Sequence, residues 1–477
     1  MTRPINTICK ATLALCLLSA GCKLPVLVQR DGKQELPASY DGSPDTTNTA
    51  TLQWHTYFTD ANLVALVEEA LRNNQELGST LQEIEVARNE VRMRKGEYLP
   101  FVGLKGSAGA DKVPRYTNIG AMEANTEIKP GKDMPEPLPD YMLALTASWE
   151  VDIWRKLRNA KHAAYARYLA TAEGKNFVVT NLVAEVANSY YELLALDNQM
   201  SIVKQNIEIQ SNALEIVRLQ KTAARATELA VRKFEAEVLK TRSLQYSLQQ
   251  QLTETENKIN FLLGRMPQPV ARSSEGFTAL VPPTVLTGIP TQLLNNRPDI
   301  RQAEQQLEAA RLDVQVAKAR FYPRLDISAA AGLQAFNPAY LLKTPESMLY
   351  SLAGDLAAPL INRNAIKADY LGANAKQLQA VYHYEQTVLN AYIEVANQLA
   401  KIRNTREAYN LKNKQVAALT ESISIANDLF RSARADYMEV LLTQRDALES
   451  KLELIEVQKQ QMNAVVDIYR ALGGGWN

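Results

Sequence analysis

The sequence predicts a mainly α-helical protein with a transmembrane β-barrel, built from two tandem repeats of helix, strand, strand, long helix and helix. Three observations lead to this prediction. The second half of the chain repeats the first in register. Two pairs of short segments alternate apolar with polar residues, which is typical of strands, and long proline-free stretches carry the apolar spacing of helices that pair.

The start of the chain has the features of a bacterial lipoprotein signal. An apolar run over residues 11–18 is too short to cross a bilayer as a helix. The letters LSAGC at residues 18–22 resemble a lipobox, although Ser19 stands where leucine is usual. We therefore predict a signal peptide over residues 1–21 and lipidation of Cys22, with a conventional cleaved signal as the alternative.

Residues 22–53 form the predicted lipid-anchored linker, which is extended because it is rich in Pro, Asp, Thr and Asn and lacks periodicity. Lys23, directly after Cys22, is compatible with sorting to the outer membrane. Beyond the signal there is no run of 18 apolar residues, so any membrane crossing is expected to use strands.

Composition argues against several classes of function. The three cysteines all lie within the first 22 residues, which excludes a disulfide scaffold for the rest of the chain. The 53 basic and 52 acidic residues balance, so no nucleic-acid partner is expected. The three histidines are far apart, so we predict neither a metal site nor a cofactor. No catalytic set converges in the sequence, and we expect no enzyme.

The internal repeat is the most informative feature of the sequence. A shift of 223 aligns Leu71–Gly109 with Leu294–Gly332 without a gap, and a shift of 209 aligns Glu185–Asn188 with Glu394–Asn397. The drop from 223 to 209 places 14 additional residues in the first copy. Two unrelated helical domains would not keep this register. The first repeat is therefore placed at residues 54–288 and the second at 289–477.

Each repeat opens with a helix, predicted at about 62–97 and about 297–321 and ended by Pro100 or Pro323. Strand pairs follow at about 101–150 and about 324–358, where apolar and polar residues alternate. The residues predicted to share the apolar face are Val102, Leu104, Gly106, Ala108, Ala110, Tyr141, Leu143, Leu145, Ala147, Trp149, Leu325, Ile327, Ala329, Ala331, Leu333, Met348, Tyr350, Leu352 and Leu356.

This dyad pattern suits a barrel with lipid outside and water inside, and the alternative is a soluble four-stranded sheet on a core. A bacterial single-chain barrel needs at least about eight strands, so three chains that supply about twelve are expected to share one. Aromatic residues near the strand ends closest to the helices are expected to form an interfacial girdle: Tyr98, Phe101, Tyr141, Trp149, Phe321 and Tyr322. The connections at 111–140 and about 334–347 would then be external loops.

The rest of each repeat is predicted as two antiparallel long helices. Between Trp154 and Gln220 there is no proline, which allows a helix of about 67 residues and about 100 Å. A turn near 222–227 follows, with Thr227 as the expected N-cap, and a returning helix reaches about Leu263. Its apolar residues keep two heptad positions, which indicates a coiled-coil seam and a wall-like pair rather than a globule.

Residues 289–323, with Asn-Arg-Pro-Asp at 296–299, resemble the hallmark of the outer-membrane factor (TolC) family. Its lipoprotein branch, which partners resistance–nodulation–division pumps, is the most similar. Further matches are Trp149–Asp152, Ala358–Leu360 and the terminal stretch Tyr469–Trp476. One departure is the sequence Asn362-Arg363-Asn364, where the family often has paired glycines.

The resemblance implies a homotrimer with a 12-stranded barrel in outer-membrane lipid and a periplasmic α-helical tunnel, with an equatorial domain built partly by residues about 265–296. Its expected partners are a periplasmic adaptor (membrane fusion) protein and, indirectly, an inner-membrane pump. The implied function is the outer-membrane channel of a tripartite efflux system, which conducts substrates passively. The alternatives are the duct of a type I protein secretion system and, in another class, a lipid-anchored coiled-coil envelope scaffold.

The two helix turns would end the tunnel and contact the adaptor. Arg225 and Thr227 in the first turn match Arg434 and Asp436 in the second under the shift of 209. Our hypothesis is that charges and hydrogen bonds at these turns help to close the periplasmic mouth, and the plain alternative is a set of solvated turn residues. The gate and adaptor-contact candidates are Arg225, Thr227, Arg431, Arg434, Asp436 and Tyr437.

Overall fold

A computed structural model describes residues 24–476 of the protein, with the exception of 31, 33–34, 41–45, 284, 362 and 433. The predicted signal peptide and Cys22 lie outside the described residues. The described part falls into two compact units. The first comprises the described residues of Met1–Asp31, Val86–Tyr168 and Gln305–Tyr382, and the second those of Gly32–Glu85, Leu169–Glu304 and His383–Asn477.

The fold is mainly α-helical, as predicted, and each repeat contributes two strands to one sheet. The helices are α1 (Trp54–Tyr57), α2 (Ala61–Asn73), α3 (Gln75–Tyr98), α4 (Asn118–Glu123), α5 (Lys156–Thr222), α6 (Glu228–Leu262), α7 (Leu293–Asn296), α8 (Pro298–Ala319), α9 (Asn364–Arg431) and α10 (Tyr437–Ala471). The strands are β1 (Phe101–Asp111), β2 (Glu127–Lys129), β3 (Lys132–Asp133), β4 (Leu138–Val151), β5 (Arg324–Ala335) and β6 (Met348–Ala357). Within the described ranges, no helix combines the length and the apolar character needed to cross a membrane.

The prediction of one continuous opening helix per repeat was wrong, because both helices break at equivalent residues. Asn74 separates α2 from α3, and Arg297 separates α7 from α8. The break gives each side chain a backbone acceptor. The Asn74 Nδ2 donates to the Leu262 carbonyl at 2.9 Å, and the Arg297 Nη1 donates to the Ala471 carbonyl at 2.7 Å. Because carbonyls at a helix end lack intrahelical partners, these bonds cap α6 and α10.

Glycine is required where each break meets the end of a long helix. Gly264 has a φ of +68°, and a Cβ there would lie 2.4 Å from the Asn73 carbonyl oxygen. Gly473 has a φ of +91°, and its Cβ would lie 2.5 Å from the Asn296 carbonyl oxygen. A left-handed residue without a side chain ends many helices. Here it also lets two backbones approach at the same point of each repeat.

The sheet has the order β1-β4-β5-β6 and is antiparallel throughout. Its register pairs Leu104 with Leu145, Leu145 with Ala331, and Ala331 with Tyr350. Directly opposed residues point to the same face, so all the residues predicted to share the apolar face do share it. The longer first connection was predicted only as a loop, but it contains the short helix α4 and the small β2–β3 hairpin.

One residue of the predicted aromatic girdle was misplaced. Tyr141 pairs with Ala108 and Ala335, at the end of the sheet away from the helices, so it is not at the helix-proximal end. Trp149, by contrast, lies near the helix-proximal end of β4 and donates its indole N–H to the Tyr98 carbonyl at 3.2 Å. The error arose because β4 runs opposite to β1, which inverts the ends at which early residues lie.

The long helices and their turn agree with the sequence prediction. Helix α5 has 67 residues, and α6 begins after Thr227, whose hydroxyl caps the helix by accepting from the Ala230 N–H at 3.2 Å. The core of the second unit joins α1, α2, α5, α6 and α10 around Tyr57, Tyr190 and Tyr469. A further cluster packs α7, α8, α9 and α10 together through Leu293, Ile300, Val395 and Ile468.

Candidate functional site: sheet faces and helix-turn tips

The apolar face of the sheet carries large side chains that the protomer leaves in the open. Tyr350, Leu352 and Leu104 are at least 70% exposed. Soluble surfaces rarely gather large apolar side chains in one contiguous patch, so such a face indicates contact with a membrane or a partner. The face runs across all strands of the sheet because the register keeps its members opposite one another.

The opposite face of the sheet is polar. Near the helix-proximal end, Glu150, Asp326 and Asp355 stand directly across β4, β5 and β6 from one another. Like charges in opposed positions repel. Arg324 offsets part of this repulsion through an ion pair with Asp326 at 2.6 Å, and Lys156 pairs with Glu150. This face could therefore border water, as the other could border lipid.

The first helix-turn tip is built by the backbone between α5 and α6. Ala224 adopts a left-handed φ of 57°, and the Arg225 N–H closes the turn on the Gln220 carbonyl at 2.8 Å. The Arg225 side chain is exposed. Next to it, a hydrogen bond from Lys221, joined by one from Arg232, lowers the pKa of the Glu228 carboxyl below its usual value. The acidic Glu228 also suits the first turn of a helix.

The second tip repeats this arrangement with different chemistry. The Arg434 N–H donates to the Leu429 carbonyl at 2.9 Å, matching the bond made by Arg225. Asp436 occupies the N-cap position of α10, equivalent to Thr227, but its carboxylate makes no capping hydrogen bond. Arg431 is the last residue of α9. The side chains of Arg431, Arg434 and Asp436 are exposed.

The structure brings only one of the second-tip candidates against the first tip. Tyr437 packs with Ala226 on a cluster that contains Phe234 and Leu441, so the two turns share an apolar contact. Across the described part of the chain, Arg225, Arg431, Arg434 and Asp436 have no ion-pair partner within 4.0 Å. Any charge pair made by these four groups must therefore involve another chain or a residue that is not described.

Sequence reasoning missed a buried ionic cluster in the second unit. Arg297 donates to Asp299 at 2.7 and 3.0 Å and to Glu394 at 2.8 Å, and Arg470 also reaches Glu394, at 3.1 Å. The cluster borders a cavity of about 120 Å³. The Asn-Arg-Pro-Asp motif at 296–299 was the available signal. It was used only for resemblance, because burial of an arginine cannot be read from one sequence.

The N-terminal segment docks on the first unit. Leu24 and Leu27 pack against Phe321 and Tyr370, and the Arg30 guanidinium lies 4.6 Å from the centre of the Tyr382 ring. Moving from Leu24 to Arg30, the segment therefore follows α9 from its start toward its middle. In the part of the chain that the structure describes, no group of three or more His, Asp or Glu side chains could hold a metal ion.

Comparison with known proteins agrees with this architecture. The model of the family described as outer membrane efflux protein matches residues 66–265 and 289–474. The pyoverdine export outer membrane protein OpmQ of Pseudomonas aeruginosa is 27% identical over 89% of this chain and 87% of its own. The cation efflux system protein CusC of Escherichia coli O6:H1 is 26% identical over 96% and 97%. A crystal structure of a membrane protein from Pseudomonas aeruginosa, 25% identical, superposes with a TM-score of 0.83 over 92% of this chain and 99% of its own.

Proposed function

The chain belongs to the outer membrane efflux protein family, and on that premise we propose that three copies form the exit duct of a tripartite efflux system. The family consists of channel and transport proteins, which points away from catalysis. Substrates would pass from a periplasmic adaptor and its inner-membrane pump through the duct to the exterior. The expected resting place is the outer membrane, with the long helices in the periplasm.

The observation that carries this proposal is the two-faced sheet. One face is apolar across all its strands, and the other bears charges and hydroxyls. A soluble sheet on a core would cover its apolar face, whereas Tyr350 and Leu352 are at least 80% exposed. Three sheets joined edge to edge would give about twelve strands, with lipid outside and water inside.

The substrate class follows less directly. The relatives are named for pyoverdine export and for cation efflux, so similar chains serve different cargoes. We propose a small-molecule efflux duct, with the adaptor seated on the helix-turn tips, and keep the type I secretion duct as the alternative. The lipid-anchored scaffold is disfavoured because a scaffold has no use for an exposed apolar sheet face.

We propose that Cys22 is acylated and anchors the protein. Leu24 and Leu27 hold the segment at the start of α9, so Cys22, two residues earlier, would sit close to the strand ends that meet the membrane. Treatment of cells with globomycin, which blocks lipoprotein signal cleavage, should make the wild-type precursor accumulate, and Cys22→Ser should lose labelling by radioactive palmitate. Normal processing in globomycin would instead show a conventional cleaved signal.

The conducting function and the gate can be tested in one planar-bilayer experiment. The wild-type protein should give discrete channels that are mostly closed. Arg434→Ala with Asp436→Ala should raise the open fraction about two- to fivefold, because exposed charge pairs contribute about 0–1 kcal/mol each. Arg431, Arg225, Thr227 and Tyr437 can be tested in the same way, with Tyr437→Phe retaining the apolar contact but not the hydroxyl.

The matched control is Lys129→Ala with Asp133→Ala, two charges of the external loop far along the chain from the turns. Absence of any channel from properly assembled wild-type protein would refute the duct. Channels that open equally often in the wild type and the Arg434→Ala, Asp436→Ala variant would refute the gate and leave the duct intact.

A further inference from the structure

The repeats differ sharply in how much of their long helices is covered. Leu448 and Ile455 on α10 are 7% and 1% exposed, but their equivalents on α6, Leu239 and Tyr246, are 60% and 76% exposed. The residues occupy the same places under the shift of 209. Within one chain, then, the same helix face is buried in the second repeat and bare in the first.

The long helices show the reverse difference. Thr180 and Ala184 on α5 are 3% and 2% exposed, but their equivalents on α9, Leu389 and Ile393, are 46% and 44% exposed. The larger apolar side chains are therefore the ones left bare. Burial of such side chains from water is favourable, so an exposed pair on a long helix needs a partner.

Printed contacts identify what covers the buried faces. Glu192 of α5 pairs with Lys459 of α10 at 2.8 Å, and the Asn188 amide of α5 donates to Asp467 of α10 at 3.0 Å. The seam between α5 and α10 therefore joins the first repeat to the second inside the protomer. The equivalent seam would join α9 to α6, and both of its faces are bare.

We infer that the bare seam is filled between chains, so that α9 of one copy packs on α6 of the next copy in the geometry of the internal α5–α10 seam. This inference rests on the proposed channel and specifies the surface through which its copies meet. A contact between two different faces of one chain is head-to-tail, and such contacts close into rings when the rotation allows. The ring would then alternate internal and inter-chain seams of one design.

The polar residues of the bare seam are chemically compatible. The shift replaces Asn188 and Asp467 by Asn397 and Lys258, and an amide oxygen can accept from an ammonium group. It replaces Glu192 and Lys459 by Lys401 and Gln250, so that the donor changes side while the pair stays complementary. No like-charged pair arises at either position, which favours a second copy over an unrelated protein as the occupant.

Cysteine crosslinking tests the inference on the full-length protein. Lys258→Cys and Asn397→Cys in one chain should yield crosslinked dimers and trimers after treatment of intact cells with a short bis-maleimide. The chain has no cysteine after Cys22, so the wild type supplies the background. Co-expression of two differently tagged chains, one with each single substitution, should give a mixed dimer.

The matched control is the repeat-equivalent pair, Asn188→Cys with Asp467→Cys, which should crosslink within one chain and leave its mass monomeric. Absence of inter-chain products from the 258–397 pair, while the 188–467 pair crosslinks, would overturn the inference. A 258–397 link confined to one chain, or to an adaptor, would also overturn it. Channel recordings separate the two proposals, because a conducting protein without the 258–397 link keeps the duct and loses only this interface.

Discussion

Arg297→Met is expected to destabilise the second unit by about 3–5 kcal/mol, the usual cost of removing one partner from a buried ion pair. The Arg297 side chain is only 9% exposed and contacts Asp299, Glu394 and the Ala471 carbonyl. The substitution leaves the Asp299 carboxylate and the end of α10 without this donor. Thermal loss of helical circular dichroism in detergent should occur at a clearly lower temperature.

The control for this prediction is Arg311→Met, which removes an ion pair with Glu308 whose side chains are 45% and 51% exposed. Such a pair contributes about 0–1 kcal/mol, so little change is expected. Arg297→Lys should recover only part of the stability, because an ammonium cannot reproduce the forked contact with Asp299. Equal melting temperatures for Arg297→Met and Arg311→Met would contradict the buried-cluster argument.

Gly332→Ala is expected to disrupt the pairing of β5 with β4. A Cβ at Gly332 would lie 2.3 Å from the Leu143 carbonyl oxygen and 2.5 Å from the Ala144 Cα. Both atoms are backbone, so neither can swing aside, and overpacking of this kind costs about 1–3 kcal/mol or more. We expect at least a tenfold loss of correctly assembled protein, measured as SDS-resistant oligomer in the outer membrane fraction.

Gly106→Ala provides the comparison in the same sheet. Its Cβ would meet only the Leu143 Cδ1, at an ordinary 3.8 Å, so assembly should stay near the wild-type level. Both variants change one glycine of a strand to alanine and carry the same backbone entropy change. A similar yield for the two would show that the close approach at Gly332 does not limit assembly.

The sequence was sufficient for the features that depend on period and repeat. The strand faces followed from alternation alone, and the long helices followed from the absence of proline. The breaks at Asn74 and Arg297 could not be predicted, because they exist to reach Leu262 and Ala471, which are 188 and 174 residues away. Local helix propensity carries no information about such distant acceptors.

The helix-turn tips mark another limit of sequence reasoning. Thr227 was recognised as an N-cap because a cap depends only on neighbouring residues. The contact of Tyr437 with Ala226 joins two turns that are more than 200 residues apart, and only the repeat hinted at it. The roles of Arg431, Arg434 and Asp436 in gating remain proposals, because the partners of these side chains would come from other chains.

The sheet within one protomer has a kinetic consequence for the cell. Among the described strands, β1 and β6 are each paired on one side only, and the apolar face beside them is bare. An unpaired edge next to an apolar surface is a template for aggregation. A newly exported chain is therefore most vulnerable before it meets two others. Because three chains must meet, the yield of finished channels should fall more steeply than the rate of synthesis when synthesis is slowed, while the loss to periplasmic proteases should rise.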